Sequence, residues 1–237
     1  MNTLTRITAA LAVSLASTAA AQDLVHTAPP QANTIIIRNA TIHTISGETI
    51  ENGALYFSEG VIGGVMTDAE FEDLKTRIRF RQSPPIEIDA TGKHVYPGLI
   101  GANTATGLIE IGQVAETIDM NEVGDVTPEV YAAVAVNPDS TIIPVTRSNG
   151  VLTVGVFPAS GAVPGWASVL RMDGWTWEDM TIEARAALVV NWPNVRPINA
   201  WWMNRSEEEQ LKEAKENLRR IDEAFNAAEA YIAAKNA

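Results

Sequence analysis

The first half of the chain is a series of short apolar runs separated by turn residues. Three such runs, rich in β-branched residues, lie at positions 34–45, 53–57 and 60–65. Glycine between runs of this kind predicts short strands joined by tight turns. Together with a proline-containing extended leader and a further short strand at 86–88, these runs predict a β-rich scaffold unit over residues 22–92.

Three stretches in the middle of the chain have helical spacing or helix-end signals. Apolar residues three and four positions apart predict a helix over 69–81. Thr127 followed by proline is typical of a helix start, so a second helix is predicted over 127–136. A third is predicted over 140–148, ending at Asn149-Gly150 with a left-handed glycine.

The last part of the chain alternates apolar strands with one long helix. The run 151–157 predicts a buried strand, and 187–191 predicts a further one. Ser206 and Glu209 have the spacing of a capping box. Seven apolar residues then alternate three and four positions apart, namely Leu211, Ala214, Leu218, Ile221, Phe225, Ala228 and Ile232. This pattern predicts a long amphipathic helix at the end of the chain.

The N-terminus has the pattern of a secretory signal. One arginine, Arg6, precedes an apolar stretch at 7–16 and the small residues Ala19-Ala20-Ala21. The stretch is too short to span a bilayer, which favours a cleaved signal peptide at residues 1–21 over a retained anchor. A periplasmic or secreted protein is therefore predicted, with no membrane association once the signal is removed.

The amino-acid composition excludes several kinds of site and partner. The chain contains no cysteine and carries a formal net charge of −12. Disulfides, thiolate nucleophiles and cysteine-ligated metals are excluded. An acidic chain without a basic cluster also argues against a nucleic-acid partner and against anionic membrane surfaces.

Two sets of residues have both a functional and a structural interpretation. Four carboxylates recur every three residues, at Glu116, Asp119, Glu122 and Asp125. They could hold Ca²⁺ through oxygen ligands, but they lack a recognised ligand-loop pattern, which favours a solvated acidic loop. The six tryptophans all lie from Trp166 onward. An aromatic ligand pocket is one interpretation, and packing in the core and loops is favoured because Pro and Gly are interleaved with them.

The stretch around residues 89–105 carries a family resemblance. Asp89-Ala90-Thr91-Gly92-Lys93 is followed by Pro97-Gly98-Leu99-Ile100. This order resembles the entry to the catalytic barrel of the amidohydrolase superfamily, where Pro-Gly-Leu-Ile-Asp leads to a His-x-His pair. Here Gly101 stands at the Asp position, and Asn103 and Ala105 stand at the two His positions.

A second region resembles the same superfamily and indicates its subgroup. Asn149-Gly150-Val151 leads into 157–161, and the segment 164–174 resembles an excursion of secreted members related to imidazolonepropionases. The resemblance implies an α/β fold with a small N-terminal β unit, part of a composite β-sandwich. An incomplete TIM-type (β/α) barrel over 93–237 and the long C-terminal helix would follow. An eight-fold barrel needs about 250 residues, more than this segment contains.

The resemblance also implies a divalent metal, zinc, held mainly by histidines. This chain has only His26, His43 and His94, all of which come before the end of the first barrel strand. His43 and His94 are interpreted as structural residues on or beside strands. Since neutral oxygens bind zinc far more weakly than imidazole does, no metal ligand and no cofactor are assigned within this chain. Asn103, Thr104 and Ser160 remain as a candidate pocket.

Three functional hypotheses follow. In the first, the chain is the truncated and inactive N-terminal half of a hydrolase of carbon–nitrogen bonds other than peptide bonds. In the second, it is a non-catalytic binding or assembly protein, with a small-molecule ligand or a homodimer formed through the helix over 211–232. In the third, a full-length relative has a rebuilt site that uses Asn103 and residues beyond position 237. Catalytic residues are not identified by the sequence.

Overall fold

A computed structural model describes residues 31–80 and 84–236 and divides the chain between Gly98 and Leu99 into two compact units. The first, called the β unit, ends at Gly98, and the second, called the α/β unit, begins at Leu99. The predicted signal peptide and most of the leader lie outside the described residues, as does His26.

A five-stranded mixed sheet forms the β unit. Its elements in chain order are β1 (Ile35–His43), β2 (Thr49–Ser58), β3 (Val61–Thr67), α1 (Asp68–Arg77), β4 (Ile86–Asp89) and β5 (His94–Val95). The strand order is β3-β2-β1-β4, and β5 also pairs with β1. β2 is antiparallel to both β1 and β3, whereas β4 and β5 run parallel to β1. The strands expected from the apolar runs are confirmed.

Apolar clusters in the β unit involve alternating residues of β1. Ile36 is buried with Ala54 and Phe71 of α1, and Ala40 and Ile42 are buried in another cluster. Helix α1 begins after a Thr67 cap with a complete capping box. It ends at Arg77, four residues before its predicted end, because the backbone at the next residue is already extended.

One ion-pair network fastens α1 to the sheet. Arg38 on β1 donates from Nε to Asp68 Oδ1 (2.8 Å) and from Nη2 to Oδ2 (2.7 Å). It also pairs with Glu72 on α1 (2.5 Å) and with Glu87 on β4 (3.4 Å). The Arg38 guanidinium lowers the pKa of the Asp68 carboxyl, mainly by hydrogen bonding, and the same contact raises the pKa of Arg38.

The α/β unit is built on a four-stranded sheet. Its elements are β6 (Leu99–Thr104), α2 (Ile142–Ser148), β7 (Val151–Val156), β8 (Gly165–Arg171), α3 (Trp177–Met180), β9 (Thr181–Val189) and α4 (Glu207–Lys235), with short 3₁₀ turns at Ala115–Thr117 and Ala132–Ala135. The strand order is β6-β7-β8-β9. Only the β6–β7 pair is parallel, and the other two pairs are antiparallel.

In the core of the α/β unit, one face of β7 packs against residues from elements on either side of it. Its buried members are Leu108, Ala132, Ala133, Val136, Ile143, Val154, Val156, Leu170, Met172 and Met180. The polar side chain of Ser168 on β8 is fully buried. Its hydroxyl accepts from the Ala133 N–H (3.0 Å) and donates to the Ala184 carbonyl (2.7 Å). These two bonds join the 3₁₀ turn, β8 and β9.

The predicted helix over 127–136 is wrong. The Thr127 N–H donates to the Val163 carbonyl (2.8 Å), and its hydroxyl donates to the Pro164 carbonyl (3.1 Å). The segment therefore runs beside the start of β8 and turns only at Ala132–Ala135. The helix predicted over 140–148 is confirmed in a shorter form. It ends at Ser148, and Gly150 just beyond it has the predicted left-handed backbone, with φ +88°.

Two strand assignments differ from the sequence interpretation. The expected excursion over 164–174 contains strand β8, and the strand expected at 187–191 is the end of the longer β9. Both are antiparallel members of the sheet, so the barrel-type parallel pairing within the described residues is limited to β6 and β7. The described fold is thus mixed α/β with two sheets and a long C-terminal helix.

Helix α4 confirms the clearest sequence signal. Ser206 caps it with the expected capping box to Glu209. Ala214 and Ile221 are buried, whereas Phe225 and Ile232 are exposed. The N-terminal half of the helix is therefore packed and the C-terminal half is not. No helix in the described ranges is long and apolar enough to cross a membrane.

Replacing Asp68 by Asn should lower the free energy of unfolding of the β unit by about 1.5–3 kcal/mol, because it removes one charge from a two-pronged, largely buried hydrogen bond. Chemical denaturation of the full chain, monitored in the β unit, measures this change. Asp73→Asn on the same helix is the matched control. Its partner Arg77 and Asp73 itself are both exposed, so a change below about 0.5 kcal/mol is expected.

The Asp68→Asn effect should also depend on pH. Because Arg38 lowers the pKa of Asp68 in the folded state, the stabilisation is present above the usual aspartate pKa of about 3.9 and is lost as the pH falls through the lowered value. The stability difference between the wild-type chain and Asp68→Asn should be full at neutral pH and shrink in acid. A difference that stays constant down to pH 2 would contradict this assignment.

Candidate functional site

The carboxyl ends of β6 and β7 open into a cavity of about 450 Å³, called here the strand mouth. Parallel strands end at the same edge of their sheet, and that edge is where open and closed α/β sheets commonly place ligands. The cavity is lined by Asn103, Thr104, Ala105, Met120, Phe157, Pro158, Ala159, Val189 and Asn191. Two of the three predicted pocket residues, Asn103 and Thr104, are therefore brought together.

The two predicted residues differ in how far their polar groups are engaged. The Thr104 hydroxyl donates to the Gly155 carbonyl (3.2 Å) and accepts from the Thr106 N–H (3.4 Å). Thr104 thus fastens the end of β6 to β7. The Asn103 side chain is exposed and makes no hydrogen bond to any residue in the described ranges. Its amide is the group at the mouth that a ligand can engage.

Ser160 has a different position. It does not line the strand mouth, and its hydroxyl accepts from the Glu122 N–H (2.9 Å) and donates to the Glu122 carbonyl (3.0 Å). These bonds hold two loops together beside the mouth. Whether Asn103, Thr104 or Ser160 acts in a function stays a prediction.

Asn191 is not among the residues that the sequence predicts for the site. It holds the loop at residues 159–162, called here the rim of the strand mouth. Its amide nitrogen donates to the carbonyls of Ala159 (2.8 Å) and Gly161 (2.8 Å), and its N–H donates to the Ala162 carbonyl (3.0 Å). The available signal was an asparagine directly after an apolar strand and before Trp192-Pro193. A polar residue at a strand end is typical of ligand or loop contacts, but the partner carbonyls lie 30 residues away.

Comparison with known proteins finds a solved structure of similar fold but no matching family. No family model matches the sequence, and no curated protein matches it. Among solved structures, an amidohydrolase from Thermotoga maritima MSB8 superposes with a TM-score of 0.66 at 23% identity, over 85% of this chain and 49% of that chain. This chain shares the fold of about half of an amidohydrolase. It spans about half the length of that solved structure.

Other solved structures match shorter parts. A putative prolidase from Bifidobacterium longum is 26% identical over 35% of this chain and 18% of its own, with a TM-score of 0.26. The ochratoxinase of A. niger is 19% identical over 52% of this chain and 25% of its own, with a TM-score of 0.30. These scores are too low to support an argument about the fold.

The strand mouth does not fit a zinc ion held by histidines. Its lining contains no titratable side chain, and residues 99–237 contain no histidine. Within the described ranges, no group of three or more His, Asp or Glu side chains is placed to hold a metal. An amide and an engaged hydroxyl are weak zinc ligands. The mouth can therefore bind a ligand through the Asn103 amide and apolar contacts, but it has no general acid or base.

The acidic loop does not form a cluster. Asp125 pairs with Arg220 of α4 (2.7 Å), whereas Asp119 and Glu122 line a separate cavity of about 220 Å³ between the loop and the 3₁₀ turn. Glu116 lies in the short turn at Ala115–Thr117, and its side chain is not placed with the others. The described residues give no support to the calcium-site hypothesis.

The two described histidines lie in the β unit. His43 is on β1 and His94 on the parallel strand β5, as the structural interpretation predicts. His43 Nε2 and His94 Nδ1 are 3.0 Å apart, at hydrogen-bond distance. The His43 ring stacks on Tyr96 with centroids 4.3 Å apart and planes within 3°.

The expectation that the tryptophans pack in the core and loops is wrong for most of them. Four are exposed, namely Trp175, Trp192, Trp201 and Trp202. Trp177 is half-buried against Tyr131, and Trp166 donates from Nε1 to the Pro128 carbonyl (2.8 Å). The exposed four all lie in segments that follow the ends of β8 and β9.

Replacing Asn191 by Asp should loosen the rim of the strand mouth. A carboxylate cannot donate to the two carbonyls that the amide engages, so a loss of about 1 kcal/mol is expected. The Ala159 N–H, which donates to the Met120 carbonyl, should exchange with solvent at least several-fold faster. Asn194→Asp is the control, because Asn194 Oδ1 accepts from the Arg196 N–H and a carboxylate keeps that bond. If the Ala159 N–H exchanged at the same rate in both variants, stabilisation of the rim by Asn191 would be excluded.

Proposed function

We propose that this chain forms the N-terminal half of an amidohydrolase-type hydrolase that acts on carbon–nitrogen bonds other than peptide bonds, and that it does not catalyse hydrolysis alone. The single observation that carries the proposal is the superposition on one half of an amidohydrolase, with a TM-score of 0.66 over 85% of this chain. The Pro-Gly-Leu-Ile stretch at the start of β6 supports it.

In this proposal β6 and β7 are the first two strands of a (β/α) barrel, with α2 between them on the outside. The strand mouth would then be one part of the catalytic end, since barrel enzymes place their chemistry at the carboxyl ends of the strands. Asn103 and Ala105 line the mouth together, which is the arrangement that a His-x-His pair would need. The shared lining supports the match of positions 103 and 105 to the two His positions of the superfamily, although the residue types differ.

The proposed role of this half is to bind and orient the substrate. Hydrolysis of an amide-like bond requires an activated water and stabilisation of the oxyanion. The Asn103 amide can donate to a substrate carbonyl or accept from a substrate N–H. Phe157 and Met120 offer apolar contact beside it. The residues that activate water would have to lie outside 99–237, because this segment provides no imidazole and the mouth has no carboxylate.

A second candidate function is a non-catalytic binding or assembly protein. The observation that favours it is the C-terminal half of α4, where Phe225, Tyr231 and Ile232 are exposed. Such a face could form a homodimer, and the strand mouth could hold a small molecule. A mass of twice the monomer in solution, reduced to the monomer by Phe225→Asp, would favour this candidate. The third candidate, a rebuilt site, needs Asn103 together with residues beyond position 237.

We also propose a periplasmic or secreted location, from the pattern of residues 1–21. The mature protein from its natural host should begin at Gln22, because signal cleavage is expected after the three alanines at 19–21. Intact-mass measurement of the extracytoplasmic fraction checks this. A protein that retains Met1 or the apolar stretch would contradict the export proposal.

The chain alone should not hydrolyse cyclic or acyclic amides, ureas or amidines above the uncatalysed rate, with or without added Zn²⁺ or Mn²⁺. Its titration with Zn²⁺ should show no tight site at the mouth. Metal-dependent turnover by the purified wild-type chain, abolished by Asn103→Ala, would overturn the proposal and favour a rebuilt site.

The double variant Asn103→His plus Ala105→His tests the positional match directly. Two imidazoles facing the same cavity should raise the affinity for Zn²⁺ at least tenfold over the wild-type chain in calorimetric titration. Asn194→His plus Arg196→His is the control, because it adds the same two side chains with the same spacing at a loop away from the mouth lining. Equal affinity in the two double variants would contradict the assignment of β6 as the metal-bearing strand.

A further inference from the structure

A cavity of about 540 Å³ lies between the loop at residues 193–205 and the first turns of helix α4, and we call it the loop–helix cavity. It shares no lining residue with the strand mouth. Its volume is within the range of about 300–1,000 Å³ that small-molecule sites have. All of its lining residues lie between Pro193 and Asn217, so one continuous stretch of the α/β unit forms it.

Contacts within this stretch hold the loop against the helix. Gln210 of α4 accepts from the Ile198 N–H (2.9 Å) and donates to the carbonyls of Ile198 (3.1 Å) and Arg205 (3.1 Å). The Arg205 side chain also pairs with Glu213, one turn further along the helix. The walls of the loop–helix cavity are therefore held in place without a ligand, which lowers the entropic cost of binding one.

The tryptophan in this cavity is only half-buried. Trp202 lines the cavity and is 55% exposed, although a tryptophan that packs into a core is largely buried. Ile198 and Met203 line the cavity with it. Indole has a large apolar ring and suits an interface that is apolar on one side and wet on the other. The cavity therefore presents an aromatic surface to a ligand that is apolar on one face and hydrated elsewhere.

The polar groups that remain free in the lining are neutral. Asn204 and Asn217 line the cavity, and their side-chain amides make no hydrogen bond to any residue in 31–80 or 84–236. Each amide offers both donors and an acceptor. The two charged lining residues, Arg205 and Glu213, pair with each other. The lining therefore has no net charge to favour an ionic ligand, and its free groups suit a ligand that carries hydroxyls.

We propose that the loop–helix cavity binds a neutral saccharide, with one sugar ring on Trp202 and the ring hydroxyls on the amides of Asn204 and Asn217. A pyranose ring meets both conditions. Its C–H bonds form an apolar face, and its hydroxyls project from the edge, where each can donate and accept a hydrogen bond. The proposal concerns a second site and a binding reaction, so it stands or fails independently of the proposed hydrolase function.

Calorimetric titration of the full chain with glucose, N-acetylglucosamine, cellohexaose and chitohexaose tests the proposal. At least one of these probes should bind with a Kd below about 1 mM and change the tryptophan fluorescence. Trp202→Ala should weaken that binding about tenfold, because it removes the aromatic surface. Trp175→Ala is the matched control, since Trp175 is also exposed but does not line the cavity, and it should leave the affinity unchanged.

A second pair of variants tests the amide contact on the helix. Asn217→Leu removes both the donor and the acceptor, so the saccharide affinity should fall several-fold. Asn226→Leu, at an exposed position of the same helix outside the lining, should not change it. Adenosine is the competing ligand, because a purine also stacks on tryptophan.

Four results would overturn the saccharide proposal. They are no saccharide binding at about 10 mM, equal effects of Trp202→Ala and Trp175→Ala, equal effects of Asn217→Leu and Asn226→Leu, and tighter binding of adenosine than of any saccharide.

Discussion

The close parallel pairing of β6 and β7 is the contact on which the α/β unit and its strand mouth depend. Val154 and Val156 of β7 are buried in the core, and Gly155 between them allows the close approach on the other side. A Cβ at Gly155 would lie 2.6 Å from the Ala102 carbonyl oxygen, which is closer than atoms can pack. A side chain at this position would separate the two strand ends, and the Thr104 hydrogen bond to the Gly155 carbonyl would be lost with them. The geometry of the mouth therefore depends on a residue that does not itself line the cavity.

Local signals in the sequence predicted the elements that local interactions stabilise. The Ser206–Glu209 capping box, the glycine end of α2 and the Phe71 face of α1 involve residues within one or two turns, so their patterns are visible in the sequence. The helix expected after Thr127 failed because its cap residue is engaged by a segment more than 30 residues later. Gly165 shows the same effect, since its Cβ would lie 2.5 Å from the Val130 carbonyl oxygen. A contact of this kind has no local signature.

The residues of the candidate site also fall into two groups: those that a local sequence signal locates, and those whose position depends on distant contacts. Asn103 and Thr104 could be placed because they follow an apolar strand, and a strand end is recognisable from the change in polarity. Ser160 is predicted as a pocket residue, but in the structure its hydroxyl is engaged by both backbone groups of Glu122 and it does not line the mouth. Asn191 was missed because its function as a rim residue depends on two carbonyls of a distant loop. The family resemblance located the strand end, but the rim could only be seen once the loops were placed.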